Sequence, residues 1–382
     1  MLKGQGSPVH TDNPQPIGSV RPLNFAYDRA PMIVYWELTL ACDLVCRHCR
    51  AKAMRRALPG ELTTDECKRV LDDMLDFGNP LPHVILTGGD PLRRDDLEEI
   101  MAAARERGIG VSLSPSATPL LTFERMATLK DAGMQAISLS LDGASATTHD
   151  GIRRVEGTFD HTIEAMDWAG ELGIPLQINT LVSEQTVDDL EGIRELLEQH
   201  RIMRWTLFFL IRTGRGLMLS EIDPREAEKL LQWADQLNTI EPFEVRTTEA
   251  LHYRRVAAQR MAAEGMSHEE IRATKLGRSF GVRDGNGIMF VTNLGNVTPS
   301  GFMPKNVGNV KERSIVDLYR NDPLMRSLRH PETFGGKCGA CEYNQWCGGG
   351  RSRAYAVTGD PLAEDPMCLY VPARLREPVS AS

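Results

Sequence analysis

Residues 32–49 read Met32-Ile-Val-Tyr-Trp-Glu-Leu-Thr39-Leu-Ala-Cys42-Asp-Leu-Val-Cys46-Arg-His-Cys49. The opening run is short, apolar and rich in β-branched and aromatic residues, as buried parallel strands tend to be. Three cysteines spaced Cx3Cx2C follow it at once. Short apolar runs then recur at His83–Thr87, Gly110–Ser114, Gln135–Leu141, Pro175–Val182 and Met203–Ile211, with helical stretches between them. Thr63 and Glu66 form a capping-box signature, and Gly78, Gly108 and Gly133 stand where helices should stop. Six βα units in about two hundred residues predict an α/β fold, a partial (βα)6 parallel barrel.

In such a barrel the active site lies at the C-terminal ends of the strands. Polar and glycine-rich signatures should therefore fall just after strands. Thr87-Gly88-Gly89-Asp90 follows the second strand, and Ser114 and Ser116 follow the third. Asp142-Gly143 closes the fourth, Asn179 lies at the end of the fifth, and Arg212 follows the sixth. Around the barrel, residues 1–30 are expected to be a flexible N-terminal segment and residues 31–223 the barrel itself. From Pro224 the pattern turns helical and charged, which predicts a helical connecting region over 224–287. Residues 288–382 are expected to form a small C-terminal cysteine-rich domain, opened by a hairpin around Asn293-Leu-Gly-Asn296.

The formal charge of -8 over 382 residues, with no basic arm or helix, argues against nucleic-acid binding. No apolar run is long enough to span a bilayer, and residues 1–24 lack the apolar core of a signal peptide, so no membrane role and a cytoplasmic location are expected. In a reducing compartment the eight cysteines point to metal or catalysis rather than disulfides. Three lie in Cys42–Cys49, four in Cys338–Cys368, and Cys67 stands alone as a free helical thiol.

Three thiolates can ligate three irons of a cubane and leave the fourth open to an external ligand. A zinc site would need four closed ligands, with His48 as the fourth, and His48 cannot easily turn to the same metal as its neighbour Cys49. The Cx3Cx2C loop after the first strand resembles the signature of the radical SAM superfamily. That resemblance implies that Cys42, Cys46 and Cys49 hold a 4Fe-4S cluster whose open iron is chelated by S-adenosylmethionine. Cleavage of this cofactor yields a 5′-deoxyadenosyl radical that abstracts a substrate hydrogen. Gly88-Gly89-Asp90-Pro91 resembles the family's glycine-glycine-acid motif, and Ser138-Leu-Ser140-Leu-Asp142-Gly143 its fourth-strand motif. Gly88, Gly89, Asp90, Ser140, Arg153 and Asn179 are accordingly the expected cofactor contacts.

Cys338-Gly-Ala-Cys341, Cys347 and Cys368 resemble the auxiliary-cluster domains of SPASM and Twitch type, with a structural zinc knuckle as the alternative. Ser300 and Arg351 occupy positions where a full SPASM domain carries further cysteines. The four thiolates thus suffice for one auxiliary 4Fe-4S cluster, two clusters in all, with no open iron on the second. Thr213-Gly214-Arg215-Gly216, Thr247-Thr248-Glu249-Ala250 and Pro299-Ser300-Gly301-Phe302 are similar to the alternative haem-synthesis subgroup, among them the iron-coproporphyrin decarboxylase. That implies a tetrapyrrole substrate bearing propionates, with Arg212, Arg215, Arg254 and Arg255 as carboxylate partners and His252 and Tyr253 as catalytic candidates. An electron donor of flavodoxin or ferredoxin type is the expected partner. The same arrangement occurs in maturases of ribosomally made peptides, and a two-cluster electron carrier is the non-enzymatic alternative.

Overall fold

The computed structural model describes residues 25–376. Most of the segment expected to be flexible, residues 1–24, lies outside the described residues. The six expected strands are present as β1 (Ile33–Glu37), β2 (His83–Thr87), β3 (Val111–Leu113), β4 (Met134–Ser140), β5 (Leu176–Val182) and β6 (Arg204–Phe209). They pair in sequence order, all parallel. Between them run α1 (Thr64–Met74), α2 (Leu97–Glu106), α3 (Phe123–Ala132), α4 (Ala146–Arg153), α5 (Thr158–Glu171) and α6 (Leu190–Glu198). The capping box at α1 forms: Thr63 Oγ1 accepts from the Glu66 amide at 3.2 Å, and the Thr63 amide donates to Glu66 at 2.8 Å.

The segment expected to be wholly helical differs. It holds α7 (Pro224–Ile240), then a seventh parallel strand β7 (Glu244–Thr248), then α8 (Tyr253–Ala263). After α8 come β8 (Arg283–Asp284), still within that segment, and the expected hairpin, β9 (Gly287–Val291) with β10 (Asn296–Thr298); β11 (Gly308–Asn309) extends it. The hairpin adds to the main sheet, because β9 pairs parallel with β1. Eight parallel strands thus run in the order β9-β1-β2-β3-β4-β5-β6-β7.

This sheet curls. Tyr35 on β1 and Arg204 on β6 would stand roughly 24 Å apart if five strand spacings lay flat, yet Tyr35 feels the charges of Arg204 and Glu249. The face turned to the helices is apolar: Trp36, Leu86, Leu139, Ile178, Trp205 and Leu207 are all buried. The inner face is polar. There Gln177, Arg204 and Glu244 align across β5, β6 and β7. Arg204 donates to Glu244 at 2.8 Å and to Gln177 at 3.2 Å. The helix Arg351–Thr358 is fixed to the rim by Arg353, which donates to the carbonyls of Glu249 and Leu210 at 2.5 and 3.0 Å. Among the described residues no helix is long and apolar enough to cross a membrane.

Candidate functional site

The first cysteine loop leaves the C-terminal end of β1 and is tied back on itself. The Cys42 amide donates to Met54 O at 2.7 Å and the Met54 amide to Leu40 O at 2.9 Å. Each sulfur meets a donor. The Leu44 amide lies 3.3 Å from Cys42 Sγ, Ala53 N 3.5 Å from Cys49 Sγ, and Arg153 Nη1 3.7 Å from Cys46 Sγ. Arg215 clamps the loop from β6: its backbone N–H donates to Cys49 O at 3.0 Å, and its side chain to Cys46 O at 2.8 Å and Ala53 O at 3.3 Å. A Cβ on its neighbour Gly214, whose φ is +58°, would lie 2.4 Å from Arg50 O. The Thr213-Gly214-Arg215-Gly216 stretch therefore braces the loop, a role that its sequence spacing alone does not reveal.

Gly88 and Gly89 press on the root of the same loop. A Cβ at Gly89 would fall 2.4 Å from Ala41 O, and one at Gly88 2.5 Å from Thr39 O. The Gly89 and Asp90 amides donate to Thr39 O and Ala41 O, both at 2.7 Å. Asp90 is buried, with one carboxylate oxygen 3.1 Å from Leu92 N and the other 3.0 Å from Thr118 Oγ1. Burial pushes its carboxyl up to about 6 against these donors. The structure therefore places this motif as the seat of the cysteine loop.

Ser140, at the end of β4, and Asn179, in the middle of β5, are register partners, half-buried on the inner face. Gln177 donates to Asn179 Oδ1 at 2.8 Å, which leaves the Asn179 amide N–H groups and the Ser140 hydroxyl turned to the barrel interior without a protein partner among the described residues. Arg153 pairs with Asp142 at 2.6 Å and also reaches Cys46. Burial opposes ionisation of Asp142, but the Arg153 guanidinium, with His48 and His149, holds its carboxyl below the usual range. Among the described residues, three buried nitrogens around Cys46 have no hydrogen-bond partner: His48 Nδ1, Arg153 Nε and Arg215 Nη2. Burial drives His48 down to about 4, so its ring is neutral near pH 7.

Cys338, Cys341, Cys347 and Cys368 line one cavity, together with His252, Arg255, Tyr343 and Tyr370. Amides two residues on donate to two of these sulfurs, Tyr343 N to Cys341 at 3.4 Å and Gly349 N to Cys347 at 3.3 Å. Cys338 Sγ accepts from Asp365 N and from Arg351 Nη2, each at 3.3 Å. Arg351, at a position where a cysteine was looked for, thus serves a cysteine instead. Ser300, at the other such position, is 2.9 Å from Ser352 Oγ. Among the described residues no three His, Cys, Asp or Glu side chains gather closely enough to hold one metal ion.

The remaining candidates scatter. His252 is buried against the second cysteine group, 3.9 Å from Asp365, and neither ring nitrogen has a partner. Tyr253 packs in the core, its hydroxyl 2.6 Å from Asn238 Nδ2, away from the barrel interior. Arg255 pairs with Glu228 through both terminal nitrogens, and Arg254 is engaged by the Val282 and Trp346 carbonyls. Of these candidates Arg212, after β6, is exposed, and its Nη2 donates to Leu217 O at 3.3 Å. Cys67 is buried in α1 and pushed by burial up to about 12, an inert thiol.

A curled parallel sheet with a Cx3Cx2C loop after its first strand defines a class, and the radical SAM superfamily model matches residues 36–197. The chain belongs to the radical SAM superfamily: it is an enzyme that uses S-adenosylmethionine and a 4Fe-4S cluster. Within that class it is similar to the AdoMet-dependent heme synthase of Methanosarcina barkeri, 38% identical over 354 residues, 91% of this chain and 99% of that one. The AdoMet-dependent heme synthase of Nitratidesulfovibrio vulgaris is 36% identical over 345 residues, 90% of this chain and 93% of that one. The crystal structure of Streptococcus suis SuiB bound to S-adenosylmethionine shares the fold, with a TM-score of 0.69 at 18% identity over 89% of this chain and 77% of that one.

Proposed function

We propose that the chain is a haem-synthesis enzyme that converts propionate side chains of an iron porphyrin into vinyl groups. The observation that carries this is the extent of the similarity: a named heme synthase matches at 38% identity over 91% of this chain and 99% of its own length. Bound together, the cluster and S-adenosylmethionine supply a 5′-deoxyadenosyl radical that takes a hydrogen atom from the substrate. Each propionate then gives up carbon dioxide and one electron as the vinyl double bond forms.

In this reading Cys42, Cys46 and Cys49 hold three irons, and the unpartnered donors at His48, Arg153 and Arg215 fit an anionic cluster beside them. Ser140 and Asn179 bind the cofactor's ribose with the hydroxyl and amide they turn inward. Asp142 fixes Arg153 against Cys46, and Arg215 holds the loop in shape. Arg212 is the guanidinium left at the rim to pair with a propionate. Cys338, Cys341, Cys347 and Cys368 close an auxiliary 4Fe-4S cluster. Its support is that four cysteines share one cavity, with the unpartnered His252 ring beside them. A flavodoxin or ferredoxin supplies the electron that starts each turnover.

The test is anaerobic. The reconstituted protein is reduced and given S-adenosylmethionine with iron-coproporphyrin III, and porphyrin mass and 5′-deoxyadenosine are followed. Two successive losses of carbon dioxide, coupled to 5′-deoxyadenosine, are expected. Cleavage of S-adenosylmethionine with an untouched porphyrin would discard this substrate and favour a peptide.

A further inference from the structure

Three arginines, Arg283 and Arg351 buried and Arg254 half-buried, stand beside the second cysteine group; Asp284 and Glu332 act on Arg351 and Arg283 from beyond ion-pair distance. Arg351 is fully buried and touches Cys338 Sγ at 3.3 Å; it also donates to carbonyls, those of Pro361 and Ala363 among them, and lies over the Phe334 ring at 4.5 Å. Arg283 is 2% exposed, donates through Nε to Leu328 O, and leaves Nη1 without a partner. That nitrogen lies against Gly348, next to Cys347: a Cβ at Gly348 would be 2.9 Å from it. Arg254 donates to Val282 O at 2.6 Å and to Trp346 O at 3.2 Å, on the other side of Cys347. Among the described residues none of the three has a carboxylate within ion-pair distance. Burial holds Arg254 and Arg283 down to about 10, with the Cys347 sulfur acting in the opposite direction on each.

A guanidinium stays charged in a protein, and burying one without a counter-charge is costly. The group that four cysteine thiolates would hold is the anion that lies directly against these arginines. The first site is closer to balance: Arg153 is paired with Asp142 at 2.6 Å and Arg50 with Glu37 at 2.9 Å, while Arg215 there meets carbonyls alone among the described residues. Reduction adds one negative charge to a cluster, and nearby uncompensated cations in a low-dielectric setting favour the more negative form.

We propose that Arg254, Arg283 and Arg351 are the counter-cations of the auxiliary cluster and hold its reduction potential above that of the first cluster. This rests on the auxiliary-cluster reading given above. The consequence is a direction for the electron released with each carbon dioxide. The substrate radical is oxidised by one electron, the auxiliary cluster is reduced by one, and no proton moves. Arg255 supplies an internal control, because it lies near Cys368 but is paired with Glu228, so that removing both together deletes no net charge.

The experiment is a potentiometric titration followed by EPR, on the full chain with Cys42, Cys46 and Cys49 replaced by Ala so that only the auxiliary signal remains. Absence of iron from that parent would refute the auxiliary-cluster reading itself. With iron present, Arg283→Met and Arg254→Met are each expected to make the cluster at least tenfold harder to reduce, a fall of about 59 mV for one electron. Arg283→Lys, Arg254→Lys and the paired Arg255→Met, Glu228→Gln variant should stay within about threefold of the parent on the same scale. A retained cluster with an unchanged midpoint in both Met variants would overturn the proposal. So would a wild-type auxiliary midpoint below that of the first cluster. If the Met variants lose iron, retention by Lys and loss by Gln at the same positions would support the counter-cation role, and loss by both would overturn it.

Discussion

Replacing Asp142 with Ala tests how the first cysteine loop is held. Asp142 is 1% exposed; one oxygen pairs with Arg153 at 2.6 Å and the other accepts from Leu181 N at 2.8 Å. The substitution leaves a buried guanidinium whose remaining side-chain partner is Cys46, and an unpaired Leu181 amide. Removing one partner of a buried ion pair costs about 3–5 kcal/mol. Asn at this position keeps an acceptor for Leu181, so its loss should be smaller by about 1 kcal/mol, the net worth of one hydrogen bond. Removing Asp142 and Arg153 together should cost less than the sum of the single losses by about 0.5–3 kcal/mol. The depressed Asp142 carboxyl contributes stability that is fully present above 3.8 and is lost as pH falls below that value through its folded pKa. The assay is anaerobic urea unfolding of the reconstituted protein, read by tryptophan fluorescence at pH 7. A D142A variant within about 0.5 kcal/mol of wild type, the range of an ordinary surface change, would refute the reasoning.

Arg215→Met should lower iron at the first site and slow S-adenosylmethionine cleavage while leaving iron at the second site unchanged; iron per chain in the presence and absence of the Cys338 and Cys341 thiols measures this. Gly89→Ala drives a methyl to 2.4 Å from Ala41 O, so the loop must move, and cleavage should fall by roughly a hundredfold, as misplacements near 1 Å do. Glu249 sits at φ +62° and its carboxyl is held well above its usual range by burial and by Asp284. A raised folded pKa means stability that is fully present below the unfolded value near 4.5 and lost as pH rises through the folded one. Glu249→Gln should therefore flatten the decline in thermal midpoint as pH rises above 4.5; an unchanged slope would assign that decline elsewhere.

The six strands of the barrel were legible because each is an apolar run closed by a glycine, a polar signature or a turn. β7 was not, because of its five residues only Val245 is apolar; Glu244 and Arg246 turn to the inner face, where Glu244 pairs with Arg204. Its strand character comes from a neighbour forty residues away, which no local period can report. The pairing of β9 with β1 is long-range in the same way. At the site, the cysteine spacings were visible because ligand spacing is local. What Arg215 and Arg351 do depends on tertiary proximity to Cys46, Cys49 and Cys338, so the sequence offered Arg215 as a substrate contact and Arg351 only as a missing cysteine. Asp90 adds a role that its motif does not report. Its motif draws attention to a ligand, while its oxygens serve the chain's own amide and hydroxyl donors.

The central claim is that Cys42, Cys46 and Cys49 support S-adenosylmethionine cleavage. Its most direct test compares 5′-deoxyadenosine formed by the reduced, reconstituted wild-type protein with that formed by the variant carrying Ala at all three positions. The wild type should produce it and the variant should produce none, while still binding iron through Cys338, Cys341, Cys347 and Cys368. Undiminished 5′-deoxyadenosine from the variant would contradict the account.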